Sequence, residues 1–488
     1  MNREYKRNLT LLTDLYELTM MQGYFKNKNE ENIVVFDVFY RDNPFHGGYA
    51  ISAGLQQVIE YIENLHFDED DIGYLRSTGI FEEDFLEYLK GFHFTGDIYA
   101  IPEGTIIFPR EPVLKVIAPI SQAQLVEPAV LNILNHQCLI ATKTSRVCHA
   151  AGSAGVMEFG LRRAQGPDAG IYGARAAVIA GCVGTSNVLA GQMFDIPIKG
   201  THAHSWIMSY PDEYTAFKKY SQLYPNACLL LVDTYDTLNS GVPNAIRVFK
   251  EMKEAGIPLK NYGIRLDSGD LALMSKKARI MLDEAGFADA IISASNDLDE
   301  NLIMSLYAQG AKITSWGVGT HMITSKGWAS FGGVYKLAAV MGPDGEFIPK
   351  IKVSENPEKI TNPGNKKIYR IYMDGKIRAD LITLEEEVFS EDEDLKIYDA
   401  QETWKFKTLK TGTFKLRELL VQVFKDGKCV YDSPSVMEIQ RICREEKETL
   451  KEESRRLINP EITPVDLSDK LYTLKIDLLR MSRADNDN

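Results

Sequence analysis

Cysteine is scarce in this chain and none of it is paired by spacing. The six cysteines, at 138, 148, 182, 228, 429 and 443, include no Cys-x-x-Cys and none at ligand spacing with a histidine. That excludes a zinc finger or ribbon and a thioredoxin-like redox motif. Cys138, Cys182 and Cys228 lie in apolar runs and read as buried free thiols, which is cytosolic usage. There is no excess of positive charge either. A net charge of −13 argues against a nucleic-acid binder, which would show a basic face, although it leaves small anionic substrates open. Long apolar runs are absent. The longest mildly apolar stretch, Ala176 to Phe194, contains Thr185, Ser186, Asn187 and Gln192 and is a poor membrane span. The segment Met1 to Arg7 has no apolar core of a signal peptide. No P-loop and no Gly-x-Gly-x-x-Gly opens a first βα unit, and no internal repeat is seen. These absences lead us to expect a soluble cytoplasmic protein without nucleic-acid or membrane partners.

What is present is ordinary in bulk and regular in detail. The 488 residues, 44% hydrophobic and 25% charged, suit two to four domains. Residues 9–25 read as a helix capped by Thr13 or Asp14. Residues 33–40 read as a strand, 52–64 as a helix, and 68–90 as two short helices. Residues 97–118 hold short strands broken by prolines, and 122–150 a long helix. Then short apolar runs recur, each ending in polar residues. They start at Val156, Gly181, Ile196, Cys228, Tyr262, Ile291, Lys312 and Val334. Helices over Val242 to Ala255, Leu271 to Ala285 and Leu298 to Ala308 separate the later ones. Strands alternating with helices imply parallel βαβ units, and about eight of them imply a barrel with its site at the carboxyl ends of the strands. Beyond residue 341, Asp344-Gly345 and Asp374-Gly375 signal hairpins. Glu385 to Asp394 reads as a solvated acidic loop, and 435–458 and 467–480 as helices. The expected class is thus α/β, an irregular TIM-like barrel over 126–345. An α+β sandwich domain over 1–125 precedes it. A region of hairpins and charged helices over 346–488 follows and packs on the sandwich.

The polar residues fall at the strand ends: Arg162 and Arg163; Thr201 and His204; Asp233 and Asp236; Asp267, Ser268 and Asp270; Ser295, Asn296 and Asp297; Gly317, Gly319 and Thr320. Any one of the aspartates can instead be a helix cap, Asp270 and Asp297 above all. Among these ends, Gly200-Thr201-His202-Ala203-His204-Ser205 places two histidines of only eight two residues apart. Taken alone they read as surface or core histidines. In this setting a neutral His204 is a candidate nucleophile toward phosphate or a general base. Gly317-Val318-Gly319-Thr320 can present N–H groups to a phosphate. Arg162 and Arg265 are forked donors for carboxylate or phosphate, and Phe159 can stack on a flat ring. Asp267 and Asp270 suit sugar hydroxyls or a phosphate-bound Mg²⁺. The Schiff-base lysine of a barrel aldolase has only Lys199 and Lys336 as candidates.

The ordered series Thr13-Asp14-Leu15-Tyr16, Glu158 to Asp168, Ser186 to Gly191, Gly200 to Ser205, Val232 to Thr237, Arg265 to Leu271, Gly317 to Thr320, Val334 to Leu337 and Lys352 to Lys359 with Pro363-Gly364 resembles the nicotinate phosphoribosyltransferases over about residues 9–380. The resemblance implies the type II phosphoribosyltransferase fold, an irregular barrel with a sandwich domain, in a homodimer with active sites between subunits. It implies transfer of phosphoribose from 5-phosphoribosyl 1-diphosphate to nicotinate, for NAD biosynthesis. ATP hydrolysis would be coupled through a phosphohistidine, with Mg²⁺ required. It places the phosphohistidine at His204 and leaves His202 without a task. Tyr16, from the partner subunit, and Phe159 would sandwich the pyridine. Thr201 and Arg265 would contact nicotinate, Arg265 at the carboxylate. Arg162 and Asp267 would line the ribose and diphosphate site, and Ser295, Asn296, Gly319 and Thr320 would hold the 5-phosphate. We add the expectation that Asp233 orients the His204 imidazole; metal ligands are not assigned. Turnover of nicotinamide or quinolinate on the same fold, or a barrel without catalysis, are the alternatives.

Overall fold

The computed structural model describes residues 7–354, 359–400, 402 and 404–484. Glu355 to Glu358, part of the Lys352 to Lys359 stretch, and the C-terminal residues beyond Ala484 lie outside the described residues. The chain forms two compact units. One comprises Ile140–Gly327 with Ser435–Gln440, the other Arg3–Leu139, Trp328–Pro434 and Arg441–Asn488.

The first unit is built on a parallel sheet of five strands, in the order Gly155–Glu158, Ser315–Val318, Ile291–Ala294, Tyr262–Leu266 and Cys228–Leu231. Their centres are apolar and buried, as in Leu230, Ile264, Ile292 and Trp316. Such strands need cover on both faces, which the helices Val242–Glu254, Leu271–Glu284 and Glu300–Ala308 help to supply. Beyond Glu158 the parallel arrangement continues as two isolated bridges, Glu158 to Thr185 and Thr185 to Ile198. These runs do not lengthen into full strands. Gly184 sits at φ +158° with Pro197 O only 2.4 Å from where a Cβ would be, and Pro197 has no N–H to donate. Seven of the expected barrel elements are therefore present as strands or bridges. The eighth is a correction. Gly333–Met341 pairs antiparallel with Ile33–Tyr40 and hairpins to Phe347–Pro349, so it belongs to the sheet of the other unit. A β-branched run carries no local mark of its partner, and here the partner lies far back in the chain.

The second unit holds two large, mainly antiparallel sheets and a two-stranded one, Ala50–Ile51 with Ile106–Ile107. The seven-stranded one runs Phe347–Pro349, Gly333–Met341, Ile33–Tyr40, Leu114–Pro119, Asp97–Ala100, Val421–Lys425, Lys428–Cys429. The six-stranded one contains Lys366–Met373 and Lys376–Leu384, joined at the Asp374-Gly375 turn. The core packs Val34, Phe36 and Val38 with helical Leu55, Val58, Ile62, Phe85 and Leu89. Two buried ion pairs, Lys366 with Asp37 and Arg370 with Asp380, close charges that could not otherwise stay in the interior. The first helix starts at Leu15 rather than residue 9, with Asp14 at its N-cap position, while the Thr13 hydroxyl donates to Leu125 O at 3.2 Å. The expected 467–480 helix starts after a strand, Val465–Leu467, and runs Asp469–Ala484. The helix expected over 435–458 ends at Thr449.

Candidate active site

At the carboxyl end of Gly155–Glu158, the buried Glu158 carboxylate accepts from the Thr185 hydroxyl and from Gly160 N–H. Burial raises its pKa. It thus ties the first strand to the bridge at Thr185 and shapes the turn that carries Phe159. The Phe159 N–H donates to Val318 O at 2.8 Å. Its ring lies over Gly317, where a Cβ would meet ring carbons at 2.6 Å. Gly317 is therefore the floor that lets the ring lie flat at the strand end. Arg162 and Arg163 follow on a single turn, Leu161–Arg163, with exposed side chains.

Arg265 rises from Tyr262–Leu266. Its Nη1 donates to Thr201 Oγ1 at 2.8 Å and its Nη2 to His202 O at 3.1 Å. Its Nε is buried without a partner among the described residues. Burial lowers the guanidinium pKa, as expected of a charge awaiting an anion. The two nicotinate candidates are thus in direct contact.

His204 begins the short helix His204–Met208. Its Nδ1 is 3.0 Å from the Thr234 hydroxyl, and its Nε2 is 3.8 Å from Asp267 Oδ2. The side chain is 38% exposed, so a phosphate donor can reach it. The expectation that Asp233 orients this imidazole is corrected. Asp233 Oδ2 accepts from Asp267 N–H at 2.8 Å and the Ser268 hydroxyl at 2.6 Å, and Thr234 is the residue on the ring. Asp233 instead fixes, through Oδ2, the loop that presents Asp267, while its Oδ1 is buried without a hydrogen-bond partner among the described residues. Asp267 Oδ1 in turn accepts from the Ser295 hydroxyl. His204, Asp267 and Ser295 therefore form one connected row.

His202, two residues away, faces inward. Leu231 N–H donates to its Nε2 at 3.4 Å, and its ring meets Tyr220 edge-on at 4.6 Å. Burial pushes its pKa down to about 4, so it is neutral with Nε2 as acceptor. This imidazole seals the sheet edge at Cys228–Leu231 and has a structural task.

Asn296 has φ +122°, a region costly to a residue with a Cβ, and its Oδ1 accepts from Asp297 N–H at 2.7 Å. The helix Glu300–Ala308 is capped by Asp299, which accepts from Leu302 N–H at 2.8 Å, not by Asp297. Asp270 does cap Leu271–Glu284, and Asp236 caps Thr237–Gly241. Gly319 and Thr320 end the Ser315–Val318 strand, where a Cβ at Gly319 would lie 3.0 Å from Phe159 O. Tyr16 stands in the other unit on Leu15–Lys26, 50% exposed. The residues that sequence reasoning passed over are Glu158, Thr185 and Thr234. Glu158 had a signal, a lone carboxylate inside an apolar run; the two threonines had none.

Among solved structures, the human nicotinic acid phosphoribosyltransferase superposes with a TM-score of 0.82 over 96% of this chain and 100% of that one, at 28% identity. A nicotinate-nucleotide pyrophosphorylase from Pyrococcus furiosus shares the fold, with a TM-score of 0.66 and 22% identity over 92% and 99%. The fold is that of the phosphoribosyltransferases. Sequence models narrow the class. The N-terminal domain of nicotinate phosphoribosyltransferase matches residues 11–135, the family domain 154–340, and the C-terminal domain 365–475. The nicotinate phosphoribosyltransferase of Bacillus subtilis is 47% identical over 473 residues, 96% of this chain and 95% of its own. That of Caenorhabditis elegans is 34% identical over 95% and 92%. The chain belongs to the nicotinate phosphoribosyltransferase family.

Proposed function

We propose that this enzyme joins nicotinate to 5-phosphoribosyl 1-diphosphate, giving nicotinate mononucleotide and diphosphate, in NAD biosynthesis. The observations that carry this reading are the Arg265–Thr201 pair and, at another strand end of the same sheet, the Phe159 ring over Gly317: a cation for a carboxylate and a platform for a flat ring. The pyridine nitrogen supplies an electron pair to C1 of the ribose, and the bond to diphosphate breaks with its pair going to the leaving oxygen. The transition state is cationic at C1, so positioned anions and a well-aimed nucleophile matter more than a strong base. Arg162 and Asp267 serve the ribose and diphosphate; Ser295, Asn296, Gly319 and Thr320 serve the 5-phosphate. Tyr16 completes the pyridine sandwich in a partner subunit's site, in a homodimer.

ATP phosphorylates His204, and hydrolysis of that phosphohistidine couples ATP to transfer. Thr234 engages Nδ1, so Nε2 is the nitrogen left to take the phosphoryl group. No group of three or more His, Cys, Asp or Glu among the described residues is placed to hold a metal ion. Mg²⁺ therefore fits as a partner of the substrate phosphates, as Mg²⁺ commonly binds, with Asp267 the carboxylate at hand. No helix among the described residues is long and apolar enough to cross a membrane, and we place the enzyme in the cytoplasm. The test is diphosphate release with nicotinate, nicotinamide or quinolinate, with and without ATP. Nicotinate is expected to be the substrate turned over. In His204→Ala, slow transfer is expected to persist while ATP no longer accelerates it. Unchanged ATP stoichiometry in that variant refutes the role of His204.

A further inference from the structure

The unit built on two antiparallel sheets contains a cavity of about 220 Å³ that the transfer reaction does not use. One wall is a single face of the helix Asp469–Ala484, where Tyr472, Lys475, Ile476 and Leu479 follow at three- and four-residue spacing. Asp37 and Phe39 of Ile33–Tyr40 contribute another, and Arg110 stands at the rim. The walls are mostly apolar, yet three cations, Arg110, Lys366 and Lys475, line the space.

The charges are unevenly satisfied. At one end Lys366 donates to Asp37 Oδ2 at 2.7 Å and to Gly364 O at 2.6 Å, so those opposite charges pair, with Asp37 Oδ1 left buried without a partner among the described residues. Lys475 has no such partner. Its Nζ donates to the neutral Asn362 Oδ1 at 2.9 Å, and no carboxylate pairs with it among the described residues. Burial and the positive charge of Arg110 push its amine down to about 8. Arg110 itself is held at φ +75°, a backbone state that is strained for a side-chain-bearing residue. A half-buried amine with an amide as its hydrogen-bond acceptor, next to a second cation and an apolar wall, is short of an anion.

We propose that this cavity binds a small organic carboxylate with an apolar body, Lys475 being its counter-ion. Size and lining define the class. A dry cavity of about 150 Å³ holds a benzene ring, so this one takes a six-carbon chain or one ring together with a carboxylate. Ile476, Leu479 and Phe39 receive the body, while Lys475, Asn362 and Arg110 face the head. The inference stands independently of the transfer reaction, because its test is binding.

The experiment titrates the full-length protein calorimetrically with hexanoate, hexan-1-ol and inorganic phosphate. Hexanoate is expected to saturate one site per chain, at least tenfold tighter than hexan-1-ol, with no binding of phosphate at this site. Lys475→Met keeps the stem and removes the charge; it is expected to weaken hexanoate at least tenfold. Leu479→Trp fills the space and is expected to abolish binding. Both variants should retain diphosphate release in the absence of hexanoate. Should Lys475→Met fail to fold, Leu479→Trp decides. The proposal is overturned if wild-type protein does not bind hexanoate at about 10 mM, if either folded variant binds it as wild type does, or if phosphate binds as tightly as hexanoate.

Discussion

Replacing Gly317 with alanine tests the platform that the Phe159 ring provides. A Cβ at this position would sit 2.6 Å from the ring's Cδ2 and Cε2 and 3.4 Å from the Ser295 Cβ. Carbon atoms rest at about 3.5–4.0 Å, so the ring must move by roughly 1 Å. The backbone beneath it cannot yield instead, because Gly317 is paired with Met157 in the parallel ladder. Overpacking of this size costs about 1–3 kcal/mol of stability. A displacement of about 1 Å in a positioning group costs about a hundredfold in rate, which is about 2.7 kcal/mol. The assay is steady-state diphosphate release with varied nicotinate, alongside a urea titration to separate unfolding from misplacement. We expect kcat/KM for nicotinate to fall about a hundredfold in Gly317→Ala. Gly200→Ala is the control in the neighbouring loop, where a Cβ meets nothing within 4 Å, and it is expected to stay within about 0.5 kcal/mol of wild type. A folded Gly317→Ala enzyme with kcat/KM near wild type would refute the ring as the nicotinate platform.

Thr234→Val removes the hydroxyl beside His204 Nδ1 without changing shape; phosphoenzyme formation from labelled ATP is expected to slow by about five- to tenfold, the worth of one hydrogen bond, with ATP-independent transfer untouched. Arg265→Lys keeps the charge but loses the fork that holds Thr201 and His202 O; KM for nicotinate is expected to rise about tenfold to a hundredfold, measured in the same diphosphate assay. His202 stays neutral in the folded state down to about pH 4, while the unfolded ring takes a proton below about 6.5. The unfolded state then binds the extra proton, so stability is full above about 6.5 and falls as pH drops toward 4, by about 2–3 kcal/mol. In His202→Gln, whose amide oxygen still accepts from Leu231 N–H, urea midpoints from pH 7 to 4 are expected to lose that part of the pH slope.

The alternation of apolar runs and helices made the parallel unit legible, because strands buried on both faces read as continuous apolar segments. The strand-end rule then gathered Thr201, His204, Arg265, Asp267 and Ser295; the structure joins Arg265 to Thr201 and Ser295 to Asp267 by hydrogen bonds and brings His204 to 3.8 Å from Asp267. Illegible were the features that depend on atoms meeting across the fold. The run at Val334 had the composition of a barrel strand, but its partner lay near the start of the chain. Asp233 and Thr234 are adjacent in sequence and both end the same strand. Only side-chain direction decides that the hydroxyl, not the carboxylate, reaches His204. The need for glycine at 317 likewise appears only once the Phe159 ring is above it.

The seam at Leu231 bears on how the site can move. A fully hydrogen-bonded barrel would carry its catalytic residues on an unbroken hoop. Here the segment from Thr201 to His204 is fastened to the neighbouring strands through side chains: the His202 ring to Leu231, Arg265 to Thr201 and His202 O, and His204 to Thr234. No backbone ladder among the described residues spans that gap. Freeing the segment therefore costs a few individual bonds rather than a strand. Two of the three fasteners, Arg265 and His204, are groups that we propose the substrates engage. On the proposed reading, a carboxylate drawing on Arg265 competes with a latch, whereas a phosphoryl group on His204 Nε2 leaves the Thr234 contact at Nδ1 in place. Occupancy of the site and the position of its own loop thus draw on the same side chains.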